Sequence, residues 1–277
     1  MAGNDGFMKI AGRVVRRALG IRSLPIPVVE WSGDHATWQE AASCCTSYDS
    51  DSIFTKVLEA TRKVESGEAV YERDSFLFDT IEYTWSLLST LMWVHALEDR
   101  LDVVDFGGSL GSSYRQNRKF LAPLERVEWK VVEQSHFVKA GLAEFETSQL
   151  RFRGSIAECG EPNLVLLLSV LCYLENPWPV LEEIDRSTAR YILLNRTPFH
   201  EGNKDIISIQ TIRPPIYDAS YPCWLFSRPN FEARMAQNGW TMVESWASDI
   251  QPDPKCEHRD YLFRRTGPKS SPMEEPA

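Results

Sequence analysis

The sequence predicts an α/β fold: a doubly wound, mostly parallel seven-stranded sheet, preceded by a helical N-terminal region. From residue 101 onward, short apolar runs alternate with helical stretches, several of these runs are continuously apolar, and the first is followed by a glycine-rich turn. Continuously apolar runs are typical of strands that are buried on both faces by helices. A chain of 277 residues accommodates one such domain together with a helical addition.

Seven apolar runs are strand candidates. In chain order they are LDVVDF (101–106), VEWKVVE (127–133), LRF (150–152), NLVLLLSVL (163–171), ARYILLN (189–195), WTMVESWA (240–247) and RDYLFRR (259–265). The segment between the last two runs is short and contains two prolines, so it is unsuited to a crossover helix. We therefore expect the last two strands to form an antiparallel hairpin.

Periodicity and composition divide the chain into four parts. Residues 1–30 form a basic amphipathic arm, 31–99 a helical subdomain, 100–266 the α/β domain, and 267–277 a tail whose composition predicts disorder. The arm carries five Lys or Arg residues and a single Asp. A basic amphipathic helix in this arm can make peripheral contact with an anionic membrane, although a solvated or partner-docking helix explains the same pattern.

Composition excludes several classes of function. A net charge of −9 argues against non-specific nucleic-acid binding, which requires a basic surface. The six cysteines lack metal-ligand spacing, so we expect neither a metal site nor a disulfide framework. No apolar run approaches the ~20 residues of a membrane span. These features predict a soluble protein in a reducing, cytoplasmic compartment.

The glycine-rich turn DFGGSLGSS (105–113) is the main indication of a binding site. Gly107, Gly108 and Gly111 allow a tight turn and a close approach of the backbone to a ligand. In a doubly wound sheet, ligands bind beyond the carboxyl ends of the strands, and the following helix start favours anions. A structural turn without a ligand would explain the glycines alone, but Glu133 ends the next strand, where it can bind ribose hydroxyls. Together these features predict an adenosine-containing cofactor.

The spacing of the glycines in the turn indicates which kind of adenosine-containing cofactor it suits. From Gly107 the sequence is G-G-S-L-G-S, which departs from the G-x-G-x-x-G pattern of dinucleotide-binding turns and disfavours a nicotinamide-dependent oxidoreductase. The spacing D-x-G-x-x-x-G, which starts at Asp105, resembles motif I of class I S-adenosylmethionine-dependent methyltransferases. Ser109 stands where that motif usually has its middle glycine.

Further blocks extend this resemblance over roughly residues 38–247. The segments GEAVYERDS, DFGGSLGSSYRQNRKFL, WKVVEQ, LLLSVLCYLENP and IYDASYPCWLFS are similar to blocks of a bacterial methyltransferase family that is associated with surface-polysaccharide genes. The resemblance implies a Rossmann-like class I methyltransferase fold, S-adenosyl-L-methionine as cofactor, and a small or carbohydrate-linked acceptor. A methyltransferase-like scaffold without activity, which docks polysaccharide-assembly partners, is the alternative.

The resemblance also implies roles for individual residues at the cofactor site. Asp105, Gly107, Gly108 and Gly111 line the methionine end of the cofactor, Glu133 binds its ribose, and Gln134 lies near its adenine. The third strand lacks the acidic residue that binds the adenine amine in many relatives, so Ser155 or backbone groups take its place. Ser169 and Tyr173 form the wall near the sulfonium, although Tyr173 can equally be a core residue. The segment VYERDS can close over this site from the N-terminal side, or it can be a capped helix start.

The long segment from Thr197 to Ser227 is predicted to be a loop that shapes the acceptor site. Its flat, polar-edged residues suit a sugar or another polar ring, although packing of the loop onto the sheet explains them equally; they are Tyr217, Asp218, Tyr221 and Trp224. His200 is the candidate base for a proton that the acceptor loses, with an ordinary loop histidine as the alternative.

Overall fold

The structure is a computed structural model. It describes four stretches of the chain: residues 29–45, 50–213, 219–248 and 255–266. The predicted tail and all but two residues of the predicted N-terminal arm lie outside these stretches.

The described part of the chain contains seven α-helices. They are α1 (Trp38–Ser43), α2 (Ser50–Glu65), α3 (Trp85–Glu98), α4 (Ser112–Leu121), α5 (Ser135–Glu144), α6 (Trp178–Arg186) and α7 (Arg228–Gln237). Within the described residues, no helix has the length and hydropathy that crossing a bilayer requires.

Twelve strands occur in the same part of the chain. They are β1 (Val29–His35), β2 (Tyr71–Arg73), β3 (Phe76–Phe78), β4 (Leu101–Phe106), β5 (Val127–Val132), β6 (Leu150–Arg153), β7 (Leu164–Leu168), β8 (Tyr191–His200), β9 (Ile206–Ile212), β10 (Ala219–Ser227), β11 (Trp240–Ala247) and β12 (Glu257–Arg265).

The main sheet has the predicted doubly wound topology but ten strands in place of the predicted seven, because β10, β9 and β1 extend it beyond β8. The predicted strands follow the order β6-β5-β4-β7-β8-β12-β11, and the five from β6 to β8 run parallel. β12 pairs antiparallel with β8, and β11 pairs antiparallel with β12. All seven predicted strands are therefore formed, and the expected terminal hairpin is present.

Two apolar layers cover the two faces of this sheet. Neighbouring residues of a strand point to opposite faces, so Val103 packs into one layer and Val104 into the other, as Leu166 and Leu167 do on β7. Helices α2 to α5 cover the Val103 face, and α6 and α7 cover the Val104 face. Burial on both faces explains why these strands lack polar alternation.

The segment from Thr197 to Ser227 is not the loop that the sequence predicts. It continues β8 and then forms the antiparallel pair β9 and β10, which β1 extends on the other side of β9. Pro222 lies within β10, where it pairs with Ile209 on one side only. Its missing N–H is tolerated because β10 meets β8 only at Phe226 and Ser227, so the other edge of β10 is open at Pro222.

The region 31–99 is less purely helical than expected. It contains α1, α2 and α3, but β1 joins the main sheet through β9, and residues 71–78 form the hairpin of β2 and β3. This hairpin packs against α2 and α4. The N-terminal region therefore adds β1 to the main sheet and places the β2–β3 hairpin beside α4, the helix that follows the glycine-rich turn.

Replacing Gly141 of α5 by Ala is expected to destabilise the fold, although the same change in an exposed helix stabilises it by about 1 kcal/mol. A Cβ at this position would lie 2.3 Å from Cγ of the buried Phe152. Overpacking of this kind costs about 1–3 kcal/mol in the free energy of unfolding, which urea denaturation measures. Phe152→Leu in the Gly141→Ala background should recover part of the loss. A Gly141→Ala variant more stable than the wild type would contradict this packing.

Candidate functional site

The glycine-rich turn connects β4 to α4 at the carboxyl edge of the sheet. Gly107 and Gly111 have φ angles of +73° and +89°, in the left-handed region that favours glycine. A Cβ on Gly107 would lie 2.6 Å from Cγ2 of Val170, so packing also requires glycine there. Ser109 adopts a φ of +55° without being glycine. The sequence prediction of a tight turn at this position is confirmed.

Asp105 lies beneath the turn. Its side chain is fully buried, and Oδ2 accepts a 3.1 Å hydrogen bond from Nε1 of Trp129 on β5. Gly108 covers the carboxylate so closely that a Cβ would lie 2.5 Å from Asp105 Cγ. Burial raises the pKa of Asp105 to about 7, the charge of Glu133 adds to this effect, and the Trp129 hydrogen bond opposes it. These contacts make Asp105 a support for the turn.

Glu133 stands beside the turn, at the end of β5. Its Oε1 accepts a 3.2 Å hydrogen bond from the Ser109 amide, and its Oε2 accepts a 2.8 Å bond from the Gln134 amide. Burial raises the pKa of this carboxyl, and the two amides oppose the shift. Each carboxylate oxygen has a further lone pair for another donor. The carboxylate is therefore oriented by the backbone and suited to a pair of hydroxyl groups.

The turn that follows β6 contains a carboxylate that the sequence interpretation missed. Ser155 Oγ donates to Glu158 Oε1 at 3.0 Å, and the Gly154 amide donates to Glu158 Oε2 at 3.2 Å. Glu158 lies three residues beyond the position where an acidic residue was sought. The 3₁₀ turn at Ile156–Cys159 folds it back onto Ser155. An acidic residue within one turn of the strand end was the available signal.

Ser169 and Tyr173 lie in the segment after β7, as the sequence predicts. Ser169 has a φ of +57°, and its amide donates to the Asn195 carbonyl of β8 at 2.9 Å. Tyr173 is 37% exposed, so it is not a core residue, and its hydroxyl donates to Gln210 Oε1 on β9 at 2.8 Å. The segment after β7 is thereby tied to β8 and to the β9–β10 pair.

The predicted acceptor residues are brought together only in part. The ring of Tyr221 on β10 meets that of Tyr173 edge to face, with centroids 5.3 Å apart. Trp224 instead stacks on Trp38 at 5.9 Å and donates to the Leu174 carbonyl at 3.0 Å, which is structural packing. The other two predicted acceptor residues, Tyr217 and Asp218, lie outside the described residues.

His200 lies at the far end of β8, away from the turn. Asn195 marks the level at which β7 ends, because it pairs with Leu168. Because Asn195 and Arg196 form a bulge and count as one strand position, His200 lies about 13 Å further along. Its Nδ1 accepts a 3.0 Å bond from the Gly202 amide, and its buried Nε2 has no partner among the described residues. The ring therefore packs into the segment that precedes β9.

The β2–β3 hairpin brings N-terminal residues to the turn. Glu72 is buried and accepts a hydrogen bond from Ser112 at the start of α4. Burial raises the pKa of Glu72 to about 7, and the Ser112 hydrogen bond opposes this shift. Arg115 links the turn to α2, because it donates both to the Leu110 carbonyl and to Glu65.

His258 of β12 is a second residue that the sequence interpretation missed. It is buried against Trp31 of β1, with ring centroids 5.1 Å apart, and its Nδ1 has no partner. Burial, and secondly the charge of Arg196, lower its pKa to about 4, so the ring is neutral at neutral pH. No sequence pattern brings these distant segments together. Among the described residues, no cluster of His, Cys, Asp and Glu could hold a metal ion.

Asp105→Asn is expected to reduce the pH dependence of stability. The folded state raises the Asp105 pKa from 3.8 to about 7, so its contribution to stability is present at low pH and is lost as the pH rises from about 4 to 7. Urea unfolding across this range should show a smaller decline with pH in the variant than in the wild type. Asp99→Asn is the matched control, because that carboxylate is exposed at the other end of β4. Equal slopes for the wild type and Asp105→Asn would contradict this account.

No family model and no curated protein matches this sequence. Solved structures do resemble it. The N-terminal domain of EvdMO1, crystallised in the presence of SAH and D-fucose, has a TM-score of 0.50 at 12% identity and covers 79% of this chain and 98% of its own.

Two further structures have lower scores. Magnesium protoporphyrin IX methyltransferase (ChlM) from Synechocystis PCC 6803, with bound SAH, has a TM-score of 0.45 at 13% identity over 78% of this chain and 97% of its own. A S-adenosylmethionine-dependent methyltransferase from Clostridium acetobutylicum ATCC 824 also scores 0.45, at 8% identity over 77% of this chain and 99% of its own. This chain has the α/β, Rossmann-like fold of class I methyltransferases.

Proposed function

We propose that this chain is an S-adenosyl-L-methionine-dependent methyltransferase that acts on a small or carbohydrate-linked acceptor. The observation that carries the proposal is the contact between Glu133 and the glycine-rich turn, where the Ser109 amide donates to Glu133 at 3.2 Å. The contact lies at the carboxyl ends of two neighbouring parallel strands, which is the ligand position in doubly wound sheets. A ribose between the turn and a pre-oriented carboxylate fits this arrangement.

Different residues at the carboxyl edge of the sheet are proposed to contact different parts of the cofactor. In this proposal Glu133 binds the ribose hydroxyls, Gln134 and Ser155 lie near the adenine, and Glu158 supplies the acceptor for the adenine amine. The turn and Ser169 line the methionine end. Glu158 therefore replaces the acidic residue that the third strand lacks, because its carboxylate is held at 3.0 Å from Ser155 Oγ.

Methyl transfer from S-adenosylmethionine requires little acid–base chemistry from the protein. The cofactor supplies a methyl group that its sulfonium already activates. The chain then has to align the acceptor and exclude water, and alignment alone can supply several kcal/mol of the barrier reduction. We assign loss of the acceptor proton to solvent, because His200 lies about 13 Å along β8 from the level of Asn195.

The β9–β10 pair is the proposed acceptor platform. It places Tyr221 against Tyr173, which in turn donates to Gln210, so aromatic faces and polar edges meet above the end of β7. Such surfaces suit polar rings. The EvdMO1 domain was crystallised with SAH and D-fucose, and these two molecules are therefore the first probes to test.

The cellular setting remains part of the proposal. We place the reaction in the cytoplasm, in surface-polysaccharide biosynthesis, with the basic N-terminal arm available for contact with an anionic membrane. This setting rests on the sequence resemblance and on the charge of the arm.

A non-catalytic scaffold is the second candidate. It was suggested by Ser109 in place of a glycine and by the missing acid on the third strand. Both departures have a structural counterpart: Ser109 adopts the left-handed backbone that glycine would adopt, and Glu158 brings a carboxylate to the end of β6. These counterparts favour the enzyme over the scaffold.

Isothermal titration calorimetry with SAH tests the proposal. Wild-type protein is expected to bind SAH, and Glu133→Gln is expected to weaken binding by about 1–3 kcal/mol, because a charged acceptor of two hydroxyl groups is lost. Glu125→Gln is the matched control, since this exposed carboxylate precedes the other end of β5. Its affinity should equal that of the wild type.

Absence of SAH binding by the wild type would support the scaffold. Equal affinities of the wild type and Glu133→Gln would show that the nucleoside does not bind between the turn and β5. Incubation with labelled S-adenosylmethionine and surface-sugar precursors, followed by mass spectrometry, would then identify the methylated product.

A further inference from the structure

Two arginines at the carboxyl edge of the sheet form no ion pair with any acidic residue in the described part of the chain. Arg196 follows Asn195 on β8, directly beyond the level at which β7 ends. Its Nε donates to Asn195 Oδ1 at 2.9 Å, and its two terminal nitrogens have no protein partner in the described part of the chain. Arg73 of β2 lies over the Phe78 ring at 5.8 Å and, among the described residues, forms no ion pair. Both side chains are half-buried.

A β-bulge directs Arg196 away from the sheet. Asn195 and Arg196 together face Asp260 alone, because the register of β8 and β12 shifts by one residue there. Arg196 has a φ of +51°, outside the strand region. Bulges next to binding sites commonly redirect a side chain. The bulge removes Arg196 from the regular alternation of side chains along β8.

The positive charges of Arg73 and Arg196 influence each other and the same neighbouring residue. Burial lowers the pKa of Arg196, and the charge of Arg73 is the second cause. The same two charges oppose the rise in the Tyr71 pKa that burial produces. The charges of Arg73 on the β2–β3 hairpin and of Arg196 on the β8 bulge are therefore close enough to influence each other and Tyr71.

The nearby carboxylates of Asp74 and Asp260 attract Arg196, but within the described stretches neither forms an ion pair with either arginine. Asp260 accepts the Arg196 amide at 2.7 Å on Oδ1, and Asn195 Nδ2 at 2.6 Å and Ser86 Oγ at 2.5 Å on Oδ2, so both oxygens hold the bulge. Glu72 accepts Ser112 instead. Asp74 is exposed at the hairpin tip and attracts Arg196 only at a distance. Half-buried guanidinium groups without partners are costly unless an anion binds them.

We propose that Arg73 and Arg196 together bind an acidic group of the methyl acceptor, which is a carbohydrate that carries a phosphate or a carboxylate. This inference rests on the proposed function, because it places the acceptor at the same edge as the cofactor. Guanidinium forks match the oxygens of both anions, and two of them on separate segments can hold one group from opposite sides. The anion would anchor the acceptor while the aromatic residues near Tyr173 contact its ring.

Inorganic phosphate is the first probe. Calorimetric titration of phosphate, at constant ionic strength set with chloride, should show binding to the wild type. Arg196→Asn, which suits the left-handed backbone, and Arg73→Gln should each weaken that binding about tenfold or more. Arg126→Asn is the matched control, because Arg126 has a φ of +56° and lies at the opposite end of the sheet. It should bind phosphate as the wild type does.

The cofactor also has a carboxylate, which is an alternative anion for the two arginines. A second titration distinguishes the anion of the acceptor from the carboxylate of the cofactor. SAH contains this group, whereas 5′-methylthioadenosine lacks it. Arg196→Asn and Arg73→Gln should bind both compounds with wild-type affinity. A loss of SAH affinity with unchanged methylthioadenosine affinity would assign the arginines to the cofactor and overturn the proposal.

The remaining outcomes are also decisive. A wild type that binds SAH but not phosphate would overturn the arginine site and leave the proposed function standing. A wild type that binds phosphate through both arginines but not SAH would support the arginine site and refute the cofactor. If Arg126→Asn lost as much phosphate affinity as Arg196→Asn and Arg73→Gln, the protein would attract phosphate non-specifically and the arginine site would be refuted. Circular dichroism checks that each variant folds, and Arg196→Lys, which keeps the charge, should retain part of the phosphate affinity.

Discussion

Burial of the Asp105 carboxylate beneath a glycine turn is the constraint on which the candidate site depends. The carboxylate is tied to β5 through Trp129, and Gly108 lies directly above it. A second carboxylate, Glu133, holds the turn from the side through the Ser109 amide. The backbone between β4 and α4 is thus fixed by one acidic group below and one beside it. This fixation leaves the outer lone pairs of Glu133 available at the edge of the sheet.

The site is assembled from segments that are far apart in the chain. The N-terminal hairpin supplies Glu72 and Arg73, the bulge on β8 supplies Arg196, and the β9–β10 pair supplies Tyr221. The carboxyl edge of a parallel sheet collects these segments because every parallel strand ends there. The N-terminal region therefore belongs to the proposed active site as much as to the support of the fold.

The glycines illustrate how a correct prediction can rest on an incomplete reason. Their expected purpose was to let a ligand approach the backbone. In the structure, the missing Cβ atoms of Gly107 and Gly108 leave room for Val170 and for Asp105 itself. The turn is recognised from its spacing because packing and backbone conformation both require glycine, and the place of a ligand follows from the strand ends rather than from the glycines.

The sequence by itself determined the seven main strands, their terminal hairpin and the turn beside Glu133, because continuous apolar runs and glycine spacing are local signals. Only the tertiary structure decided the strands of the segment after Thr197, since Pro222 is acceptable only where one edge of β10 is open. The position of Arg196 on a bulge and the burial of His258 against Trp31 were likewise decided only by the tertiary structure. Whether a charged or titratable side chain is paired depends on segments that meet only after folding, and no local pattern encodes that meeting.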